Sequence, residues 1–267
     1  MKNFVFWTGV KSSDPRVSEK YGYGDFSWMD YSRKTWEYWC NKNEVTFIPY
    51  EKPLDKNIDM LKTKINWARW LDISDIVPGD YDNILSVDAS TMVRWDAPNY
   101  FELDKRRLCA FRSDENLKWT YESAMGYKEF FNNFNFDIDK YIASGFIVFN
   151  KQYHEQFFRE LKDFYLQNTD KIIELEDVKV KRGRDQPVIN YLLQMKNIDV
   201  NYLPIVYGAS HLYRHELFSH NWQLKEDTTP FFIRYCYCWI FSGYSDRGET
   251  RNRLMKETWE MVKDKYV

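Results

Sequence analysis

Glycine is scarce in this 267-residue chain, 10 in all, and no strand-like run is followed by G-x-G-x-x-G. That absence argues against a dinucleotide fold, and the lack of G-x-x-x-x-G-K-[ST] removes a P-loop for ATP phosphates. No G-x-S-x-G elbow and no H-E-x-x-H pair occurs either, which sets aside the common serine hydrolases and zinc proteases. Cysteine is limited to Cys40, Cys109, Cys236 and Cys238, without zinc-ribbon spacing, so packing explains them better than metal or redox work. If 236–238 is extended, Cys236 and Cys238 share one face of an aromatic run. No stretch approaches the ~18 apolar residues of a membrane span, so no membrane insertion is expected. The opening MKNFVFWTGVKSSD has too short an apolar run for a signal peptide. These features predict a cytoplasmic protein with reduced thiols. Charge of one sign is also missing: the net −2 supplies no field for a membrane surface and disfavours, without excluding, a nucleic-acid partner.

Aromatic residues are abundant instead, with 20 Tyr, 19 Phe and 11 Trp making 19% of the chain. Most belong in a core, while rigid flat rings also suit stacking on sugars or bases. The basic runs KRR (105–107) and KVKRGR (179–184) are first of all solvated loops, with a local anion site as the alternative.

Strand-like and helix-like stretches alternate along the chain. NFVFW (3–7), VTFIP (45–49), NILSVD (83–88), LCAF (108–111) and SGFIVF (144–149) read as strands, and NYLPIV (201–206) as an extended segment. PFFIRYCYCWIF (230–241) reads as one long aromatic strand. Helices are expected at 30–42 behind an Asp30 cap, at 64–73, and after residue 150, where Phe157, Leu161, Phe164 and Tyr165 share a face. DQPVINYLLQ (185–194) has Asp185 as its N-cap and Pro187 in its first turn, and a last helix covers about 250–264. The alternation predicts an α/β fold with a mixed, mostly parallel sheet flanked by helices. No Ser/Gly/Pro linker or repeat divides the chain, so one domain over 1–267 is expected.

The run DNILSVDAST (82–91) raises the chemical question, because an apolar strand ends on a carboxylate. A solvated turn is one answer. A ligand site at the carboxyl end of a sheet is the other. Four short motifs bear on it in chain order: TG after the first strand, DAST after the third, SGFIVFN in mid-chain and GRDQ opening a helix. Each is weak alone. Their order over roughly residues 1–245 resembles the nucleotide-sugar glycosyltransferases of the GT-A (Rossmann-like) fold, nearest to the glycogenin-like group.

The resemblance implies transfer of a hexose or pentose from a nucleoside-diphosphate sugar, a UDP-sugar first among donors, to a hydroxyl acceptor. It leans to retention of configuration and assigns no protein nucleophile. It places Thr8 and Gly9 against the base, Asp88, Ala89 and Ser90 near the diphosphate, and a Ser144–Gly145 turn beside the sugar. Asp185 and Gln186 would bond the sugar hydroxyls, and Arg247 would meet the diphosphate. A divalent cation, Mn²⁺ or Mg²⁺, would neutralise charge on the leaving diphosphate, bound by hard oxygen ligands. Asp88 supplies one such ligand, but Ser90 stands where the family has a second aspartate. The family's late H-x-x-G is missing too, since Ile240 lies three residues before Gly243. His211 is then the expected third ligand, with Asp185 as a helper.

Other readings remain open at this stage. A related fold that binds nucleotide sugars with little or no transfer would suit Ser90 and the absent H-x-x-G. A nucleotidyltransferase ranks below both, because its Gly-rich first loop is absent. For the residues themselves, Asp88 is otherwise a solvated turn, Gly145 a packing glycine and Asp185 a cap. His211 is otherwise a surface or packing residue, and Arg247, with Arg251 and Arg253, a solvated arginine. A glycan, a lipid-linked sugar, a protein or a hydroxylated DNA base all remain as acceptors.

Overall fold

The strands, in chain order, are β1 (Asn3–Thr8), β2 (Thr46–Tyr50), β3 (Asn83–Asp88), β4 (Thr91–Val93), β5 (Leu108–Arg112), β6 (Ile142–Asn150), β7 (Val200–Tyr202), β8 (Lys225–Glu226), β9 (Thr229–Pro230) and β10 (Cys238–Ile240). The computed structural model describes residues 1–10, 25–54, 63–113, 117–209, 225–226, 229–242 and 249–267. Six strands form one sheet in the order β2-β1-β3-β6-β5-β7; β10 pairs with β4, and β8 with β9. Strand β1 runs parallel to β2, with Phe4 opposite Thr46, and β5 runs parallel to β7 but antiparallel to β6. The expected mixed, mostly parallel sheet flanked by helices is therefore present. Strands β1 and β3 are buried almost throughout, as expected of strands covered on both faces, and Asp88 is the one less buried residue of β3.

The chain divides into two compact units, each drawn from three segments. Unit one comprises Met1–Asn3, Pro53–Leu85 and Phe101–Tyr202, and unit two Phe4–Lys52, Ser86–Tyr100 and Leu203–Val267.

In unit one the helices are α2 (Ile65–Ile76), α3 (Leu117–Gly126), α4 (Lys151–Glu174) and α5 (Asp185–Met195). Every residue of α2 from Trp67 to Ile73 is buried, so this helix is enclosed on all sides rather than amphipathic. Trp70 stacks on Phe158 of α4 at 5.3 Å, and Trp67 meets Tyr165 at 4.4 Å. Helix α4 starts at Asn150, whose side chain accepts the Gln152 N–H at 2.8 Å, and it buries Phe157, Leu161 and Tyr165 as predicted. Phe164 is half-buried against Phe131 at 5.6 Å. The helix runs on into a π-turn at Leu175–Lys179.

In unit two, α1 (Trp28–Lys42) buries Trp28, Trp36, Trp39 and Cys40, and α7 (Glu249–Val262) closes the chain on Leu254, Met255, Thr258 and Val262. Asp30 lies within the first turn of α1 and is not its cap; Ser27 holds that position. The run 230–241 is not one strand. Pro230 leads into the short helix α6 (Phe231–Tyr235), and the strand resumes only at Cys238. The indole of Trp239 donates to the carbonyls of Phe232 (3.1 Å) and Cys236 (2.9 Å), tying the strand back onto the short helix. Cys236 and Cys238 are buried free thiols, and only Cys238 lies in a strand. Likewise 201–206 is extended only through Tyr202; Pro204 then opens a 3₁₀ turn at Ile205–Tyr207.

Candidate functional site

Asp185 enters unit one through an unusual turn. Gly183 (φ +86°) and Arg184 (φ 53°) are both left-handed, and a Cβ on Gly183 would lie 2.2 Å from Ser123 Oγ and 2.4 Å from Pro187 Cγ. Only glycine suits that position. The turn drives Asp185 inward, leaving it 1% exposed as the first residue of α5. It is therefore not the N-cap expected from the sequence; Arg184 occupies that position, without a side-chain cap.

The Asp185 carboxylate is held by one oxygen. Oδ2 accepts Arg69 Nη2 at 2.9 Å and Trp70 Nε1 at 2.7 Å, both from α2, while buried Oδ1 accepts no hydrogen bond. Arg69 is fully buried and also donates to the Ser144 carbonyl (2.9 Å) and hydroxyl (3.3 Å). Its guanidinium lies 4.7 Å from the Trp70 ring centre. Gln186 accepts the Ser144 N–H at 3.3 Å and donates to Ser113 Oγ at 3.1 Å. One turn later Asn190 bonds both the N–H (2.7 Å) and the carbonyl (2.9 Å) of Ile142. The first residues of β6 are thereby fastened to α5.

Three residues singled out in the sequence, Ser144, Asp185 and Gln186, thus share one hydrogen-bonded network. Arg69, which joins them, was missed. Its signal was a charged residue inside the run WARWL (67–71), where no exposed face exists for it. Ser144 and Gly145 lie inside β6, so the expected turn there is absent; the strand simply begins earlier, at Ile142.

A second buried polar set lies behind this network. Trp67 Nε1 donates to Glu176 Oε1 at 2.6 Å on the π-turn, and Lys64 Nζ lies 3.6 Å from Glu176 Oε2 and also binds Asp177. Burial raises the Glu176 carboxyl above its ordinary range. Tyr141 and Ser123 share a hydrogen bond at 3.0 Å, and the hydroxyl of Tyr127 is buried without a partner. Burial pushes both phenols up.

Unit two carries the other candidates. Asp88, Ala89, Ser90 and Thr91 form a tight turn between β3 and β4. The Thr91 hydroxyl donates to the Asp88 carbonyl (2.7 Å) and accepts Trp36 Nε1 (2.9 Å). The Ala89 N–H bonds the Thr8 carbonyl (2.8 Å), and the Ser90 carbonyl accepts Phe241 N–H (2.7 Å). The turn is thus fixed on three sides, with Asp88 half-buried at the strand end and Ser90 buried. Among the described residues the buried Thr8 hydroxyl has no partner. Gly9 donates to the Tyr50 carbonyl at 3.0 Å, and a Cβ there would lie 2.2 Å from the Trp7 ring, so a side chain would not fit without displacing the indole.

Asp88 and Ser90 offer one carboxylate and one hydroxyl, hard oxygen donors that fit Mg²⁺ or Mn²⁺ but make only part of a shell. Among the described residues no group of three His, Cys, Asp or Glu is placed to hold a metal. His211 and Arg247 lie outside the described residues. Of the neighbouring arginines, Arg251 donates to the Phe241 carbonyl (2.7 Å) and lies 4.6 Å from the Trp28 ring, and Arg253 pairs with Glu257 at 3.2 Å. Among the described residues no helix is long and apolar enough to cross a membrane.

No protein-family model and no curated protein matches the sequence. Solved structures do match. A galactosyltransferase, LgtC, solved with donor and acceptor sugar analogues, matches with a TM-score of 0.53 at 13% identity, over 98% of this chain and 99% of its own. A glycosyltransferase involved in glycosylating the major capsid of PBCV-1 matches at 0.50 and 11%, over 96% of this chain and 100% of its own. GlyE of Streptococcus pneumoniae TIGR4 matches at 0.51 and 16%, over the whole of this chain but 63% of its own. The chain has the fold of these sugar transferases. At such identities the likeness concerns the fold.

Proposed function

We propose that the protein is a glycosyltransferase that moves a hexose or pentose from a nucleoside-diphosphate sugar to a hydroxyl acceptor, within a single domain. The observation that carries this reading is Asp185: a buried carboxylate held through one oxygen, with the other buried and without a hydrogen-bond partner among the described residues. A buried acceptor oxygen without a partner is costly, and a sugar hydroxyl brought to it would offset that cost. The shared fold supports transfer over the other chemistries. Gln186, Ser144 and Gly145 would complete the sugar contacts, and the backbone at Thr8 and Gly9 those to the base, with uridine as the expected base. Asp88 would hold a Mn²⁺ or Mg²⁺ ion, with Ser90 and His211 as further ligands, and Arg247 would meet the diphosphate. That cation would supply charge neutralisation on the leaving diphosphate. Retention of configuration and the glycogenin-like grouping rest on motif order alone.

Ser90 favours one second reading, a binder of nucleotide sugars with weak or no transfer, because a neutral hydroxyl holds a cation less firmly than a carboxylate. One experiment addresses both. A panel of nucleotide sugars, each with and without Mn²⁺, is screened by melting temperature and by release of free nucleotide. A ligand that binds only the folded state raises stability by about 2.7 kcal/mol at 100 times its Kd. A melting shift with turnover supports transfer, and a shift without turnover supports the binder. If no nucleotide sugar shifts melting, both readings fail.

A further inference from the structure

A cavity lies in unit one, at the far end of α5 from Asp185. Gln194 is nine residues beyond Asp185, about 14 Å along a helix that rises about 1.5 Å per residue. The cavity measures about 500 Å³, within the usual range for small-molecule sites, and runs beside β7, the edge strand of the sheet.

Its walls are fixed. The Gln194 side chain accepts the Asp137 N–H and donates to the Asp137 carbonyl, both at 2.9 Å, tying the segment before β6 to α5. Tyr202 donates to the Lys140 carbonyl at 3.3 Å, and its ring carries the Arg112 guanidinium at 4.8 Å. Lys140 pairs with Asp137 at 3.3 Å. The side chains of Asn135, Asn197 and Asp199 also line the cavity, and among the described residues none of these three side chains makes a hydrogen bond or ion pair. Phe134 and Tyr202 add aromatic surface.

We propose that this cavity binds a neutral, hydroxyl-rich carbohydrate. Two uncommitted amides and a carboxylate provide paired donors and acceptors for adjacent hydroxyls, and the rings provide an apolar surface for a sugar's C–H face. An anion is disfavoured, because Lys140, the one cation lining the cavity among the described residues, is already paired and Asp137 and Asp199 repel an anion. An apolar ligand would bury three polar side chains without partners. A peptide strand added to β7 would find only three residues to pair with. This inference does not rest on the transfer reading, because it concerns binding at a different place.

The test is a titration of the full chain with neutral oligosaccharides, namely malto-, cello-, chito- and galacto-series, beside inorganic phosphate and a short extended peptide. The variant carries Asp199→Ala and Asn197→Gly, the glycine chosen because Asn197 is left-handed (φ 51°). Both positions are exposed, and a melting curve confirms that the variant folds. Expected is saturable binding of at least one series, weakened about ten-fold or more in the double variant. A Lys171→Ala protein, changed at an exposed position of α4 away from the cavity lining, serves as a control and should bind the same glycan as the parent does. Three results overturn the proposal: no oligosaccharide binds, the double variant binds as well as the parent, or only phosphate or peptide binds.

Discussion

The Arg69 guanidinium and the Asp185 carboxylate meet at 2.9 Å in the interior of unit one, neither more than 1% exposed. Such a pair is held by further hydrogen bonds, here from Trp70 Nε1 to Asp185 Oδ2 and from Arg69 to the Ser144 carbonyl, while Asp185 Oδ1 has no partner among the described residues. Removing one partner leaves a buried charge, at a cost of about 3–5 kcal/mol. Asp185→Ser is therefore expected to lower the melting temperature strongly and to abolish transfer together. A helix cap would have behaved differently, since serine caps nearly as well as aspartate. An unchanged melting curve for this variant would contradict the pairing.

Asp88→Asn separates chemistry from stability. The residue is half-buried at the end of β3, and the amide keeps its size while deleting the charge. Melting is expected to move little, while transfer falls on the order of 100-fold and Mn²⁺ dependence weakens. Nucleotide-release kinetics across a Mn²⁺ series measure this. Parental turnover with parental Mn²⁺ dependence would remove Asp88 from the cation.

Thr91→Val tests whether the turn behind Asp88 is fastened as described. Valine fills the same space but lacks the hydroxyl that bonds the Asp88 carbonyl and accepts Trp36 Nε1. The expected loss is about 1–3 kcal/mol, read as a lower denaturant midpoint at unchanged slope. A midpoint equal to the parent's would show that these two bonds contribute nothing net.

His154 predicts a pH dependence. It is buried, its Nδ1 accepts the Asn150 N–H at 3.0 Å, and burial lowers its pKa below the ordinary value near 6.5. Below about pH 6.5 the unfolded chain then binds a proton that the folded chain resists, so stability falls as pH falls. His154→Asn, which keeps an acceptor near the Nδ1 position, should lose less stability than the parent between about pH 7.5 and pH 5.5. Parallel melting curves for the two proteins over that range provide the check.

Much of the sheet was legible because its strands are short apolar runs bounded by polar or Gly-containing stretches, as in β1 and β3. The run 230–241 misled because aromatic residues fit a strand or a buried helix turn equally well. What decided it was Pro230 and the reach of the Trp239 indole to two carbonyls seven and three residues back. Ser144, Asp185 and Gln186 could be found by motif order. Arg69 was not found, because its partner lies 116 positions away and the local mark, a charge inside WARWL, names no partner. Asp185 looked like a cap for a related reason: the sequence places it at a helix start but does not show that Gly183 and Arg184 turn it inward.

The enclosed tryptophans give the protein an optical signature. Trp7, Trp36, Trp67 and Trp70 are no more than 1% exposed, and each donates its indole N–H to a named side chain: Ser32, Thr91, Glu176 and Asp185. Water reaches none of these rings while the fold holds. Native emission should therefore sit toward the blue and move red on denaturation. Because Trp70 bonds the Asp185 carboxylate directly, a molecule that bonds the unpartnered oxygen of Asp185 should alter the emission with no dye attached.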